Sequence, residues 1–216
     1  MGLKAIVIGA TGLIGTELVT QLLNDDNYES VKVLHRRSTG VQHSKYIEHI
    51  IDFEDPKTFE KLLAGDVVFS AMGTTIKKAG SKDAQYKVDV EYPFSVAKVA
   101  SMSGVSTCVL VSSAGANASS SNFYTRIKGE LDEMVSNLDF DKVRIMRPSI
   151  LDGDRNEFRL GESIGIQVMR ILRFIPGLRK YRPIHASIVA RAMRNSLDEE
   201  GDVNIYALES IFKLAK

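Results

Sequence analysis

Tyr124 and Lys128 stand four positions apart in the segment NFYTRIKGELDE. On an α-helix that spacing stacks two side chains on one face. A phenol has an ordinary pKa of about 10, too high for efficient general acid–base work near neutral pH. An ammonium group beside it favours the phenolate and draws that value down. Ser113 lies upstream at the end of an apolar run, and a hydroxyl there can polarise a carbonyl oxygen. The chemistry these three residues offer is proton transfer to or from a carbonyl oxygen held between Ser113 and Tyr124. A Y-x-x-x-K spacing also fits a surface lysine beside a packing tyrosine. Its position, in the helix after a strand that ends in two serines, favours the chemical reading.

Such a site needs a strand to present Ser113 and a helix to carry the other two. Val105 to Val111 reads as that strand, the fifth, ending in Ser112-Ser113-Ala114-Gly115, and the spacing predicts a helix from Asn122 to Leu138. The frame begins much earlier, at Lys4 to Gly15, KAIVIGATGLIG. Ala5-Ile6-Val7-Ile8 is a continuous apolar run, as expected of a parallel strand buried on both faces. Gly9, Gly12 and Gly15 follow at three-residue spacing, and Leu18, Leu22 and Leu23 continue at helical spacing. Strand, glycine turn and helix is the geometry that brings backbone N–H groups up to a pyrophosphate. Gly9 suits the tight turn, Gly12 leaves room for phosphates, and Gly15 lets the helix lie close to the strand. Thr11, Leu13 and Ile14 complete the candidate cofactor contacts in this turn. The spacing is G-x-x-G-x-x-G rather than the usual G-x-G-x-x-G. A glycine turn with no ligand is the alternative, and the flanking strand and helix speak against it.

Val31 to Leu34 reads as the second strand, with Arg36 and Arg37 in the loop at its end. In dinucleotide folds an acid there binds the 2′-hydroxyl of NAD, and an arginine accommodates the 2′-phosphate of NADP. His35 to Gly40 contains no acid. A guanidinium pairs with phosphate through charge-assisted hydrogen bonds, so NADP(H) is the expected cofactor. A solvated basic loop is the alternative. Tyr46 to Ile51 suggests a third strand ending at Asp52 and Phe53. Asp52 could hydrogen-bond an adenine amino group with Phe53 beside the ring, or serve simply as a turn residue. Lys57 to Leu63 is expected to be a short helix. Asp66 to Ala71 is the fourth strand, and Ala71, Met72 and Gly73 at its end suit backbone contact with the cofactor's ribose and phosphates, with a plain turn as the alternative. A helical stretch from Ser81 to about Ser103 is bent or broken at Pro93. Val143 to Met146 is the sixth strand, followed by Arg147-Pro148. Gly161 to Leu178 is an apolar helix with basic punctuation, suited to the core, a pocket wall or a membrane or partner surface. Ser187 is placed to cap a helix through Ser196, and Val203 to Leu208 reads as a last strand.

Strands alternating with helices predict an α/β fold with a doubly wound parallel sheet, a Rossmann-like NAD(P)-binding domain. One domain over 1–216 is expected, with its nucleotide part at about 1–147 and its substrate side at about 148–216. A net charge of +1 gives no electrostatic case for bulk nucleic-acid binding. The single cysteine, Cys108, excludes an internal disulfide and reads as a small buried hydrophobe, and the four histidines show no metal-ligand spacing. No apolar run is long enough for a membrane span. A first strand starting at residue 4 leaves no room for a leader segment, and the expected location is cytoplasmic.

GATGLIG, SSAG and YTRIK, in that order, resemble the short-chain dehydrogenase/reductase superfamily of the extended or atypical kind. VSSAGANASSSNFYTRIKGELDE, followed by FDKVRIMRPSILDGDRNEFRLGE, is similar to one branch, the family of the HIV Tat-interactive protein. The resemblance covers nearly the whole chain. It implies NADPH binding, with Tyr124 and Lys128 as the active-site pair and Arg36 or Arg37 on the 2′-phosphate. It also implies that Leu151 and Arg159 approach the cofactor, that Arg147-Pro148 is the R-P motif of extended members, and that Ser113 rather than Ser112 is the triad serine. Members of this branch are also described as redox-sensing or regulatory. Two functions follow as expectations: an NADPH-dependent reductase of a small carbonyl compound, and an NADPH sensor that contacts a protein partner. Sugar-nucleotide epimerase chemistry fits the short C-terminal portion less well.

Overall fold

Alternate residues of the first strand, β1 (Leu3–Ile8), enter opposite cores. Ala5 and Val7 join one apolar cluster and Ile6 and Ile8 the other, which is why the run is apolar without alternation. The structure, a computed structural model, describes residues 2–152 and 182–216. Its main sheet contains β1, β2 (Tyr28–His35), β3 (Tyr46–Ile50), β4 (Val67–Ser70), β5 (Thr107–Val111), β6 (Lys142–Arg147) and β9 (Val203–Ala207). The spatial order is β3-β2-β1-β4-β5-β6-β9, and every pairing is parallel. The order reverses between β1 and β4. In a doubly wound sheet the ligand crevice lies at that reversal, outside the carboxyl ends of the strands. β7 (Leu151–Asp152) and β8 (Ile184–His185) form a separate short parallel pair that sequence patterning did not reveal.

The helices divide between the two faces. α1 (Leu13–Leu23), α6 (Ala186–Asn195) and α7 (Glu209–Leu214) cover the face that holds Val7, Val33, Phe69 and Val109. α4 (Tyr92–Met102) and α5 (Phe123–Ser136) cover the other, with Ile8, Leu34, Leu110 and Ile145. Cys108 is buried in this second layer, the small core hydrophobe its surroundings in the sequence suggested, and burial pushes its thiol up to about 12.

The long helical stretch is divided as the proline required. α2 (Ile76–Ala79), a single turn that was not expected, precedes α3 (Lys82–Tyr86). A π turn at Lys87–Glu91 then leads into α4. Tyr92 N–H bonds to the carbonyl of Lys87, five residues back, immediately before Pro93. Pro93 has no N–H to donate and its ring would strike the carbonyl four residues back in a regular helix, so the wider turn relieves that contact.

Two local expectations need correction. Lys57 to Leu63 forms two short 3-10 turns, Pro56–Thr58 and Glu60–Leu62, rather than an α-helix. Phe59 and Leu63 are fully buried at helical spacing, but Phe59 has φ −132°, outside the helical range. The cap of α6 is His185, whose Nδ1 accepts the N–H of Ser187, and Ser187 lies inside the helix. The Gly161–Leu178 helix and Arg159 lie outside the described residues.

Candidate functional site

The glycine turn brings the backbone of β1, α1 and the loop after β4 into close approach. Gly9 has φ +78°, and a Cβ there would lie 2.5 Å from the carbonyl carbon of Ala71. A Cβ on Gly15 would lie 2.1 Å from the Gly9 carbonyl oxygen. These two glycines are steric requirements, and they do what their spacing suggested. Gly12 is different: its Cβ would meet nothing closer than the Gly9 oxygen at 3.2 Å. It is the N-cap of α1, and no side chain caps that end. The first-turn N–H groups of Leu13, Ile14 and Gly15 have no acceptor within the helix. An uncapped helix N-terminus behind a glycine cradle fits the pyrophosphate of a dinucleotide. Thr11 is exposed in the same turn.

Arg36 and Arg37 are exposed directly after β2, and neither has an ion-pair partner among the described residues. Glu48 on β3, which pairs with Val33 of β2, is engaged elsewhere. Its carboxylate accepts the hydroxyls of Ser38, Thr39 and Tyr46 and the Thr39 N–H. These hydrogen bonds, led by that from Ser38, lower the Glu48 carboxyl to about 2. His35, buried beneath the loop, bonds Tyr46 Oη at 2.9 Å, and burial holds its imidazole below the usual range. Glu48 thus anchors the arginine loop without neutralising it. A carboxyl depressed on folding contributes stability above its unfolded value that is lost as pH falls through its folded value. The Thr39 amide should therefore keep its protection from hydrogen exchange above about pH 4.5 and lose it as pH falls towards 2. In Glu48→Gln this pH dependence should vanish, measured relative to intrinsic exchange.

Asp52 is exposed after β3, and its Oδ1 accepts the Glu54 N–H at 2.9 Å, the turn role weighed for it. Phe53 is buried and stacks on Tyr92 with ring centroids 5.6 Å apart, so its ring serves the core. A cavity of about 300 Å³ opens beside this pair, lined also by Glu54, Lys87 and Ser95. Ala71, Met72 and Gly73 follow β4 at the level where Ile8 pairs Ser70, next to Gly9.

The two serines after β5 have different surroundings. Ser112 is buried and donates to Asp132 Oδ2 at 2.9 Å, and Arg147 Nε donates to the same oxygen at 2.9 Å. Burial raises the Asp132 carboxyl above its usual range, opposed by the Ser112 and Arg147 hydrogen bonds. Ser112 and the arginine of Arg147-Pro148 therefore belong to a structural tie between α5 and β6. Ser113 is half-buried, and among the described residues its hydroxyl makes only a 3.5 Å contact to the Ala114 carbonyl. α5 begins at an Asn122 cap, whose Oδ1 accepts the Thr125 N–H. Gly129 lets the helix touch the preceding loop, since a Cβ there would lie 2.2 Å from Ala118 N. Tyr124 is 41% exposed and Lys128 only 3%. This inverts the bland alternative of a packing tyrosine and a surface lysine. The Lys128 ammonium lies 3.5 Å from Asp89 Oδ2 and the same distance from a Cβ built on Gly73. Lys128 thus faces the loop at the end of β4, beside the glycine turn.

Leu151 is half-buried on β7, packed against the α1-side core. The residues that sequence reasoning missed are Glu48 and Asp89. Each is an acid inside an apolar-rich segment, Ile47-Glu48-His49-Ile50 and Val88-Asp89-Val90, and that placement was the available signal.

The model of a family described as NAD(P)H-binding matches residues 9–164. Protein FMP52, mitochondrial, of Candida albicans is 36% identical over 197 residues, covering 88% of this chain and 85% of the relative. Protein HTATIP2 of Rattus norvegicus is 31% identical over 211 residues, covering 96% of this chain and 86% of the relative. Among solved structures, a short-chain dehydrogenase/reductase superfamily protein from Agrobacterium tumefaciens with bound NAD superposes with a TM-score of 0.71 at 15% identity. It covers 94% of this chain and 77% of that one, a likeness of fold. The fungal relatives carry mitochondrial names, which overturns the expectation of a cytoplasmic protein. Charge and cysteine content report redox chemistry and solubility, and they do not encode an address. No described helix is long and apolar enough to cross a membrane.

Proposed function

The chain belongs to the NAD(P)H-binding family, as an atypical short-chain dehydrogenase/reductase near HTATIP2, and from that premise we propose that it is an NADP(H)-dependent reductase of a small carbonyl compound. The observation that carries this reading is the pairing of a buried Lys128 with an exposed Tyr124 on one helix face, beside an uncapped glycine cradle. When bound, NADPH supplies the hydride that goes to the carbonyl carbon. Tyr124 donates the proton to the carbonyl oxygen and is reprotonated from solvent. Ser113 steadies that oxygen, and Lys128 holds the ribose hydroxyls. The products are an alcohol and NADP+. Residues 148–216 form the substrate side, and the mitochondrion is the compartment.

The cofactor half of this reading rests on Arg36 and Arg37. Replacing both with alanine removes the charge-assisted contacts to the 2′-phosphate. The double variant should bind NADPH about 10- to 100-fold more weakly, with NADH affinity unchanged. Titration of both nucleotides into both proteins checks this. A wild-type preference for NADH would sink NADP(H) as the cofactor.

A further inference from the structure

Arg36 and Arg37 form the one Arg-Arg pair in the chain, and Ser38 and Thr39 follow them directly. All four are exposed, in a stretch from 36 to 45 that forms no helix or strand. Gly40 has φ +70°, and a Cβ built on it meets nothing within 4 Å, so the backbone beside Thr39 is accessible to a large partner. The two hydroxyls hold this loop to β3. Thr39 Oγ1 donates to Glu48 Oε1 at 2.7 Å and lies 3.0 Å from Tyr46 Oη. The Thr39 N–H donates to the same carboxylate oxygen at 2.9 Å, and Ser38 Oγ donates to Oε2. A protein kinase with an acidic peptide groove selects a hydroxyl by the guanidiniums shortly before it in the chain. Thr39 has arginines two and three residues before it. In an extended peptide Thr39 and Arg37 point to the same side, whereas Ser38 and the adjoining Arg37 point to opposite sides. Other hydroxyls behind basic residues are less available. Ser196, two residues after Arg194, is buried, and Ser81, behind Lys77 and Lys78, accepts the Ala84 N–H as the cap of α3.

We propose that Thr39 is a phosphorylation site for an arginine-directed protein kinase, and that phosphate on it excludes NADPH by occupying Arg36 and Arg37. The kinase transfers the γ-phosphoryl group of a nucleoside triphosphate. The bond from Thr39 Oγ1 to phosphorus forms, the bond from phosphorus to the nucleoside diphosphate breaks, and the hydroxyl proton goes to the kinase's base. The ester carries a charge of about −2 at neutral pH. It has no hydroxyl proton to give Glu48, whose carboxyl is lowered to about 2 and so is ionised. The contact between Thr39 and Glu48 thus turns from attraction to repulsion. The same phosphate meets two guanidiniums that have no ion-pair partner among the described residues, and so short a tether gives a high effective concentration. Both effects fall on the loop that reads the 2′-phosphate.

This assignment rests on the cofactor reading given above, and its test separates the two. Wild type, Ser38→Ala and Thr39→Val are incubated with ATP and the catalytic subunit of cAMP-dependent protein kinase, an arginine-directed enzyme. The phosphate is located by peptide mass spectrometry. Wild type and Ser38→Ala should carry phosphate on Thr39, and Thr39→Val none in this loop. NADPH and NADH are then titrated into modified and unmodified wild type. Phosphorylation should weaken NADPH about tenfold or more and leave NADH within about twofold. The assignment is overturned if Thr39 takes no phosphate, if modified protein binds NADPH as unmodified protein does, or if it loses both nucleotides equally. With any of these results, an NADPH preference in the unmodified protein leaves the cofactor reading standing. Unmodified protein that prefers NADH, or takes neither nucleotide, overturns the cofactor reading and this assignment together.

Discussion

Tyr124→Phe should lower kcat by about 100-fold or more, the range expected when a general acid is removed, with NADPH affinity within about twofold of wild type. The separation of the two effects follows from where the hydroxyl sits. Tyr124 is 41% exposed, and its hydroxyl has no hydrogen-bond partner among the described residues. Removing it leaves no buried group unsatisfied and opens no cavity, so the fold should melt as wild type does. The ring stays, as does Lys128 with its Asp89 tie, so the ribose end of the cofactor site is untouched. What is lost is the proton that the carbonyl oxygen needs as hydride arrives. Steady-state kinetics beside NADPH titration and thermal melts check the prediction. An active Tyr124→Phe protein with full turnover would defeat the mechanism.

Gly15→Ala should cost about 3 kcal/mol of stability and most of the cofactor affinity. The added methyl would stand 2.1 Å from the Gly9 carbonyl oxygen and 2.7 Å from Ala10 Cα. Both are backbone atoms, so no side-chain rotation relieves the clash, and α1 must move away from the end of β1. That movement carries the first-turn N–H groups of Leu13 and Ile14 with it. Gly12→Ala gives the contrast. Its methyl meets no protein atom closer than 3.2 Å, so the fold should tolerate it, while phosphates lying over Gly12 would be displaced. Denaturant unfolding with NADPH titration should therefore show stability and binding falling together for Gly15→Ala, and binding falling with little loss of stability for Gly12→Ala.

The features legible in the sequence were those carried by local pattern. The apolar run of β1, the glycine turn and the Tyr124–Lys128 spacing each depend on neighbours within a few residues. Their geometry in the fold follows the rules used to read them. Pro93 likewise announced an interruption, although the π turn that provides it leaves no signature of its own. Less legible were the ties that cross long stretches of chain. Glu48 reaches Ser38 and Thr39 across a strand pairing, and Asp89 reaches Thr74 and Lys128 from another helix. In a linear reading, each is an isolated acid that fits a solvated face equally well. The choice between Ser112 and Ser113 was open for the same reason. Only the fold brings Asp132 and Arg147 onto Ser112. Helical spacing misled at Lys57 to Leu63, where Phe59 and Leu63 reach the core through two tight turns.

Hydride transfer to a carbonyl carbon beside Tyr124 is tested by following that hydride. NADPH deuterated at the transferring position of the nicotinamide is offered with a panel of small aldehydes and ketones, and the products are weighed by mass spectrometry. Wild-type protein should yield an alcohol carrying a single deuterium on the former carbonyl carbon, and Tyr124→Phe none above background. Tight NADPH binding with no labelled alcohol from any member of a broad panel would contradict it, and would leave a nucleotide-dependent binding protein in its place.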